Sequence, residues 1–192
     1  MIKQTLTALN RQYASLDWNR LEDITLQDEL LNRGYHEVRN HAVMMYRLAD
    51  NDQARARFAD TIRLTELVER LGDDFARSTT RILRKLLGEN LLLSVGSSAE
   101  LEAFNHRLSG ILDELRLALQ DKEEFDPEKL AEHIEAVDCK LVSMRKAHFQ
   151  SLADNVPADV ASSSYYLDIL SEMESSVIKI KNITRLVEKE QA

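Results

Sequence analysis

Turn-forming residues are scarce in this chain: five glycines and two prolines serve 192 residues, and only 6% of residues are aromatic. A sheet needs many tight connections and is enriched in aromatic and β-branched side chains, so strands are disfavoured and long helices become the default. Long apolar runs are missing as well. The longest, Ala42 to Tyr46, is far short of the roughly 18–20 residues that cross a bilayer. A single cysteine, Cys139, excludes an internal disulfide; with no CxxC partner or histidine cluster beside it, it reads as a helix-packing residue. Basic charge is thin: 25 Lys and Arg against 33 Asp and Glu give a net charge of −8, and no basic run exceeds a couple of residues. Nucleic acid is therefore an unsuitable partner, and cations or a basic surface suit the chain better. The opening MIKQTLTALNRQ lacks a charged n-region followed by an apolar h-region, so the expectation is a cytoplasmic location.

A hydrophobic content of 44% suffices for a packed core, and the length fits one large domain or two small units sharing it. Ile2, Leu6, Leu9, Tyr13 and Leu16 follow a 4,3,4,3 spacing that predicts an amphipathic first helix. Asp17 then caps a second, carrying Leu21, Ile24, Leu31, Tyr35, Val38, Ala42, Met45 and Ala49, with Asp28 intruding on the apolar stripe and requiring a partner. Asp50, Asn51 and Asp52 open a third helix that runs through Leu71, Phe75, Ile82 and Leu86 and ends near Gly88. The stretch GENLLLSVGS after it is the junction, and its three leucines look buried. Ser97 and Glu100 have capping-box spacing ahead of a fourth helix along Leu101 to Leu119. Asp126, Pro127 and Glu128 start a fifth, and Pro157 starts a sixth that turns polar from Glu188.

Three helices, a junction and three more helices predict an all-α fold of two pseudo-repeated three-helix bundles, residues 1–88 and 97–190. Within VERLGDDFAR, Val68 to Arg77, the acids Glu69 and Asp73 stand one turn apart on one helix face. Their side-chain carbons lie about 6 Å apart, close enough to share a hard cation. Arg77 follows Asp73 by four residues and Arg70 precedes Asp74 by four, so a solvated ladder of ion pairs explains the same residues. Asp28 is open to the same two readings, as a third oxygen ligand from the neighbouring helix or as a hydrogen-bonded polar insert; Asp138 is a weaker analogue.

The histidines offer little. His36 and His41, five apart in HEVRNH, point about 140° from each other around a helix and cannot grip one ion. His106, His133 and His148 are scattered and read as surface or packing residues, and no Glu-x-x-His pair of a di-iron bundle is present. With no phosphate loop, nucleophile elbow or recognisable Ser, His and Asp constellation, catalysis is not expected.

VERLGD at Val68 to Asp73 resembles the Leu-Glu-Arg-Ile-Gly-Asp signature on the third helix of PhoU repeats, with conservative changes at the two apolar places. The stretches Leu91 to Leu119 and Ser162 to Leu170 are similar to the cytoplasmic PhoU-like domain of bacterial sodium/phosphate cotransporters. The second signature departs: in ESSVIKIKN, Glu174 stands 105 residues after Glu69 and Asn182 remains, but Ile178 occupies the place of the aspartate, so the second repeat is degenerate. The resemblance implies a regulatory domain that controls phosphate uptake at the inner face of the cell membrane. Its expected partner is a transporter membrane domain or a signalling kinase, and its long apolar stripes permit a homodimer. It also implies that Glu69, Asp73 and Asp28 hold iron or another hard cation, which would bridge any bound phosphate. Two alternatives stay open: a free-standing phosphate-signalling adaptor docking on a sensor kinase, and a metal-binding bundle with an enzymatic or storage role.

Overall fold

The computed structural model describes residues 1–120 and 126–191. Among them there is no strand, and the helices run as α1 (Ile2–Ala14), α2 (Trp18–Leu48), α3 (Asp52–Asp73), a π-helical segment (Asp74–Thr79), α4 (Thr80–Gly88), α5 (Val95–Gln120), α6 (Pro127–Ala153) and α7 (Pro157–Gln191). Because α3, the π segment and α4 form one unbroken rod, the fold has the six rods expected. None of the described helices is long and apolar enough to cross a membrane.

The capping residues explain most of the boundaries. Asp17 accepts a hydrogen bond from the Asn19 amide at 2.9 Å, Asn51 from the Ala54 amide at 2.8 Å and Asp126 from the Lys129 amide at 3.0 Å, each satisfying an orphan donor of a first turn. Two helices end on left-handed asparagines, Asn90 at φ 55° and Asn155 at φ 54°. In each case the next residue's amide reaches back to a carbonyl five residues earlier, Leu91 to Leu86 and Val156 to Ser151. Asparagine tolerates this conformation at little cost, which is how a glycine-poor chain stops its helices.

Three expectations need correction. The cap of α5 is Ser94, whose Oγ accepts from the Ser97 amide at 3.1 Å; Ser97 itself lies inside the helix, and Glu100 bonds elsewhere. Of the three junction leucines only Leu93 is buried, while Leu92 is 62% exposed. Cys139 is exposed rather than packed, because the core-facing residues of α6 are Ile134, Val137 and Leu141.

Helix α2 packs on α1, α3 and α4, and α6 packs on α5 and α7; between these layers α1 lies against α5 and α3 against α7. One continuous hydrophobic core runs through them, from Leu6, Leu9 and Leu21 through Leu71, Leu83 and Phe104 to Tyr166, Ile169 and Val187. Halves of roughly 90 residues would each bury a modest fraction of their surface, and the shared core offsets that deficit. Beyond Asp28 on α2 and before Leu71 on α3, only Ala42 is fully buried, so these two helices form an arm whose main partners are each other. Where they meet, Gly72 faces Leu31 so closely that an added Cβ would fall 2.0 Å from Leu31 Cδ2. The glycine of VERLGD is therefore a close-approach residue.

Candidate functional site

Of the three acids singled out from sequence, Asp28 and Asp73 meet at one arginine, and Glu69 stands near them on α3. Asp28 reaches across from α2, its side chain 2% exposed, towards Glu69 and Asp73 on α3. Between them lies Arg77 from the π segment, whose Nε donates to Asp28 Oδ2 at 2.7 Å and stands 3.2 Å from Asp73 Oδ1. Asn32 adds a longer bond to Asp28 Oδ2 at 3.3 Å, and Asp28 Oδ1 is buried without a hydrogen-bond partner. Among the described residues, no group of three or more His, Cys, Asp or Glu side chains is disposed to hold a metal ion. The positive charge at the centre of this cluster is a guanidinium.

Asp28 and Asp73 share one arginine, and the protonation of Glu69 and Asp73 reflects the crowding of charge around it. Burial pushes Glu69 above the ordinary carboxylate range, and the charges of Asp73 and Asp28 add to the rise while Arg77 opposes it. Asp73 is raised for the same first reason, with Arg77 pulling it back and Asp28 and Asp74 pushing it up. Arg77 is held above its usual value chiefly by its hydrogen bond to Asp28.

The next residue along makes a separate contact. Asp74, 8% exposed, was paired with Arg70 in the ladder reading; instead it accepts from Lys179 Nζ at 2.6 Å and from Ser176 Oγ at 3.2 Å on α7. Thr79 Oγ1 donates to the Asp74 carbonyl at 2.9 Å, across the π turn. In the second half Asp138 on α6 pairs with Lys181 on α7.

Beside Glu69 opens a groove of about 610 Å³ between the start of α1, the middle of α2, α3 and the end of α5. Its floor is apolar, with Leu31, Tyr35, Leu64, Leu71 and Leu115, and Glu69 contributes to its rim together with Lys3, Asp113 and Arg116.

A second polar cluster centres on His148 and Asp159. His148 is 4% exposed; its Nε2 lies 2.9 Å from Ser163 Oγ, and its ring packs at a 41° tilt against Tyr166, centroids 4.7 Å apart. Burial lowers its pKa from 6.5, against the opposing charges of Asp159 and Glu100. Burial would raise Asp159, but hydroxyl donation from Ser151, Ser94 and Ser97 outweighs it and holds the carboxyl below its usual range. Tyr166 in turn donates to Glu100 at 2.9 Å, and Lys140 bonds the other Glu100 oxygen at 3.2 Å. His148 Nδ1 has no partner and the Asp159 oxygens are taken by serines, so Ser163, His148 and Asp159 do not form a relay of the serine-hydrolase kind. The run of serines around Asp159 was the one sequence clue to this cluster.

The remaining histidines are at the surface. His133 Nδ1 lies 2.8 Å from Glu114, and His106 is 3.8 Å from Glu102. His36 and His41 are both exposed on α2. Comparison with family models, curated proteins and solved structures returns no match for this chain.

Proposed function

We propose that this chain is a PhoU-like regulatory module that acts by docking rather than by turnover. On this reading it controls phosphate uptake from the cytoplasmic face of the membrane, as part of or partner to a sodium/phosphate cotransporter. The observation that carries the proposal is the Asp74–Lys179 pair. Its members lie 105 residues apart, the same offset that relates Glu69 to Glu174, so equivalent places of the two signatures would touch where α3 meets α7. A duplicated three-helix unit folded about such a contact is what the PhoU resemblance implies.

The acid cluster gives this module a chemical handle. Arg77 is 57% exposed and has room to leave. A basic residue of a partner, or a hard cation such as iron, would replace it at Asp28, Glu69 and Asp73 and relieve the repulsion that raises the two α3 acids. Docking and cation binding would then compete with the internal arginine.

Phosphate uptake measured in cells lacking the chain, and again after its return, tests the proposal. A change in uptake that Glu69→Lys with Asp73→Lys fails to restore is the expected result. Unchanged uptake with altered sensor-kinase output would favour the adaptor reading, and unchanged uptake with stoichiometric iron in the purified protein would favour storage.

A further inference from the structure

The outer face of α2 carries four large apolar residues in water: Leu26, 59% exposed, Leu30, 55%, Met44, 49%, and Leu48, 66%. At 100° per residue they fall within about 40° of one another, on the side of the helix opposite Ile24, Asp28 and Ala42, which face inward. Their order along the helix is symmetric about residue 37. Leu26 and Leu48 are equally far from that centre, and so are Leu30 and Met44, with Arg33 and His41 between them on the same exposed face. An arbitrary partner helix has no need of such a register. A second copy of α2 running antiparallel does, because a two-fold axis at Glu37 sets Leu26 against Leu48 of the other copy and Leu30 against Met44.

Charge follows the same rule. The first part of the face is acidic, with Glu22, Asp23 and Glu29, and its end carries Arg47. Antiparallel pairing brings Arg47 within a turn of Glu29 in the other copy, on the same flank of the seam. It also flanks each Glu37 with an arginine and a histidine, Arg33 and His41 of the opposite helix, which offsets the meeting of two glutamates at the axis. Gly34, beside this seam, has nothing within 4 Å of where a Cβ would stand, so neighbouring backbone is free to approach.

We infer that the outer face of α2 is a homodimer interface, closed by a second copy of this chain in antiparallel register about Glu37. This inference is independent of the phosphate-uptake reading. A single two-helix seam buries less than the ~1,600 Å² of a standard interface, so micromolar self-association is expected.

Sedimentation equilibrium up to about 100 µM, a range suited to an interface of this size, reads the dimer directly. Leu30→Glu alone and Met44→Lys alone should each weaken association at least ~10-fold, whereas the double variant, which sets glutamate against lysine twice across the axis, should restore it. In a Cys139→Ser background, Glu37→Cys should form a disulfide between copies under mild oxidation. Leu26→Cys should not, because the register holds its two copies ~33 Å apart. A wild-type monomer throughout this range would overturn the inference, as would a dimer indifferent to Leu30→Glu or a Leu26→Cys crosslink as fast as that of Glu37→Cys. So would a face that binds an unrelated helix while the chain stays monomeric.

Discussion

Lys179 sets its ammonium 2.6 Å from the Asp74 carboxylate and so ties α7 to the π segment across 105 residues of chain. The side chains are only 18% and 12% exposed. A pair this shielded is costly to break from one side, because the survivor keeps its charge without compensation.

Lys179→Met should therefore destabilise the fold by about 2–4 kcal/mol. Asp74→Leu added to it should recover most of the loss, since an apolar pair of similar volume removes the stranded charge. Denaturant unfolding of the two single variants and the double variant gives the coupling, and additive losses would show that the pair does not act as a unit.

Among the described residues Arg77 is the strongest donor to Asp28, and Arg77→Met leaves Asp28 and Asp73 without their shared cation. The expected loss is about 1.5–3 kcal/mol, reduced by the exposure of the arginine. Added Mn²⁺ should raise the melting temperature of this variant more than that of the wild type, in which the guanidinium competes for the same oxygens. Equal responses of the two proteins to Mn²⁺ would separate the acid cluster from cation binding.

Glu69 has a folded-state pKa raised above its ordinary 4.5. A carboxyl of this kind favours the fold below the unfolded value, and that contribution is lost as pH rises through the folded one. Glu69→Gln should accordingly raise the melting temperature at neutral pH and change it little near pH 4, where the native glutamate is already protonated. Thermal melts of both proteins across this range provide the check.

His148 works in the opposite sense. Its folded pKa lies below 6.5, so the unfolded chain binds the proton more readily. Stability is full above the unfolded value and falls as pH drops below it towards the folded one. Chemical denaturation between about pH 7.5 and 5.5 should show this decline, and His148→Gln should flatten it. Asp159 adds its own loss only at lower pH, beneath the ordinary aspartate value, because its carboxyl is depressed.

The helices and their caps were readable because their causes are local. Asp17, Asn51 and Asp126 cap through amides two or three residues away, and the apolar stripes follow the helical period. The acid cluster was legible in part: Glu69 and Asp73 announce themselves by spacing, and Asp28 by being polar in an apolar stripe. Arg77 was visible as the partner of Asp73 but not of Asp28, which lies 49 residues away. Long-range partners carry no local mark, and for the same reason Asp74 was matched to Arg70 when Lys179 is its counter-ion. The π segment hid as well, since one extra residue in a turn rotates everything after it by about 100° and blurs the period between Leu71 and Ile82. Ser94 lost the cap to Ser97 in the sequence because Ser97 has a glutamate three residues on, which in the structure serves Tyr166 and Lys140 instead.

Regulation of transport by docking is tested most directly by phosphate flux into proteoliposomes that hold the membrane part of a sodium/phosphate cotransporter, with and without the purified chain. A saturable change in flux that disappears with Glu69→Lys and Asp73→Lys is the expected result. Flux that stays the same at every concentration of the chain would contradict the proposed function.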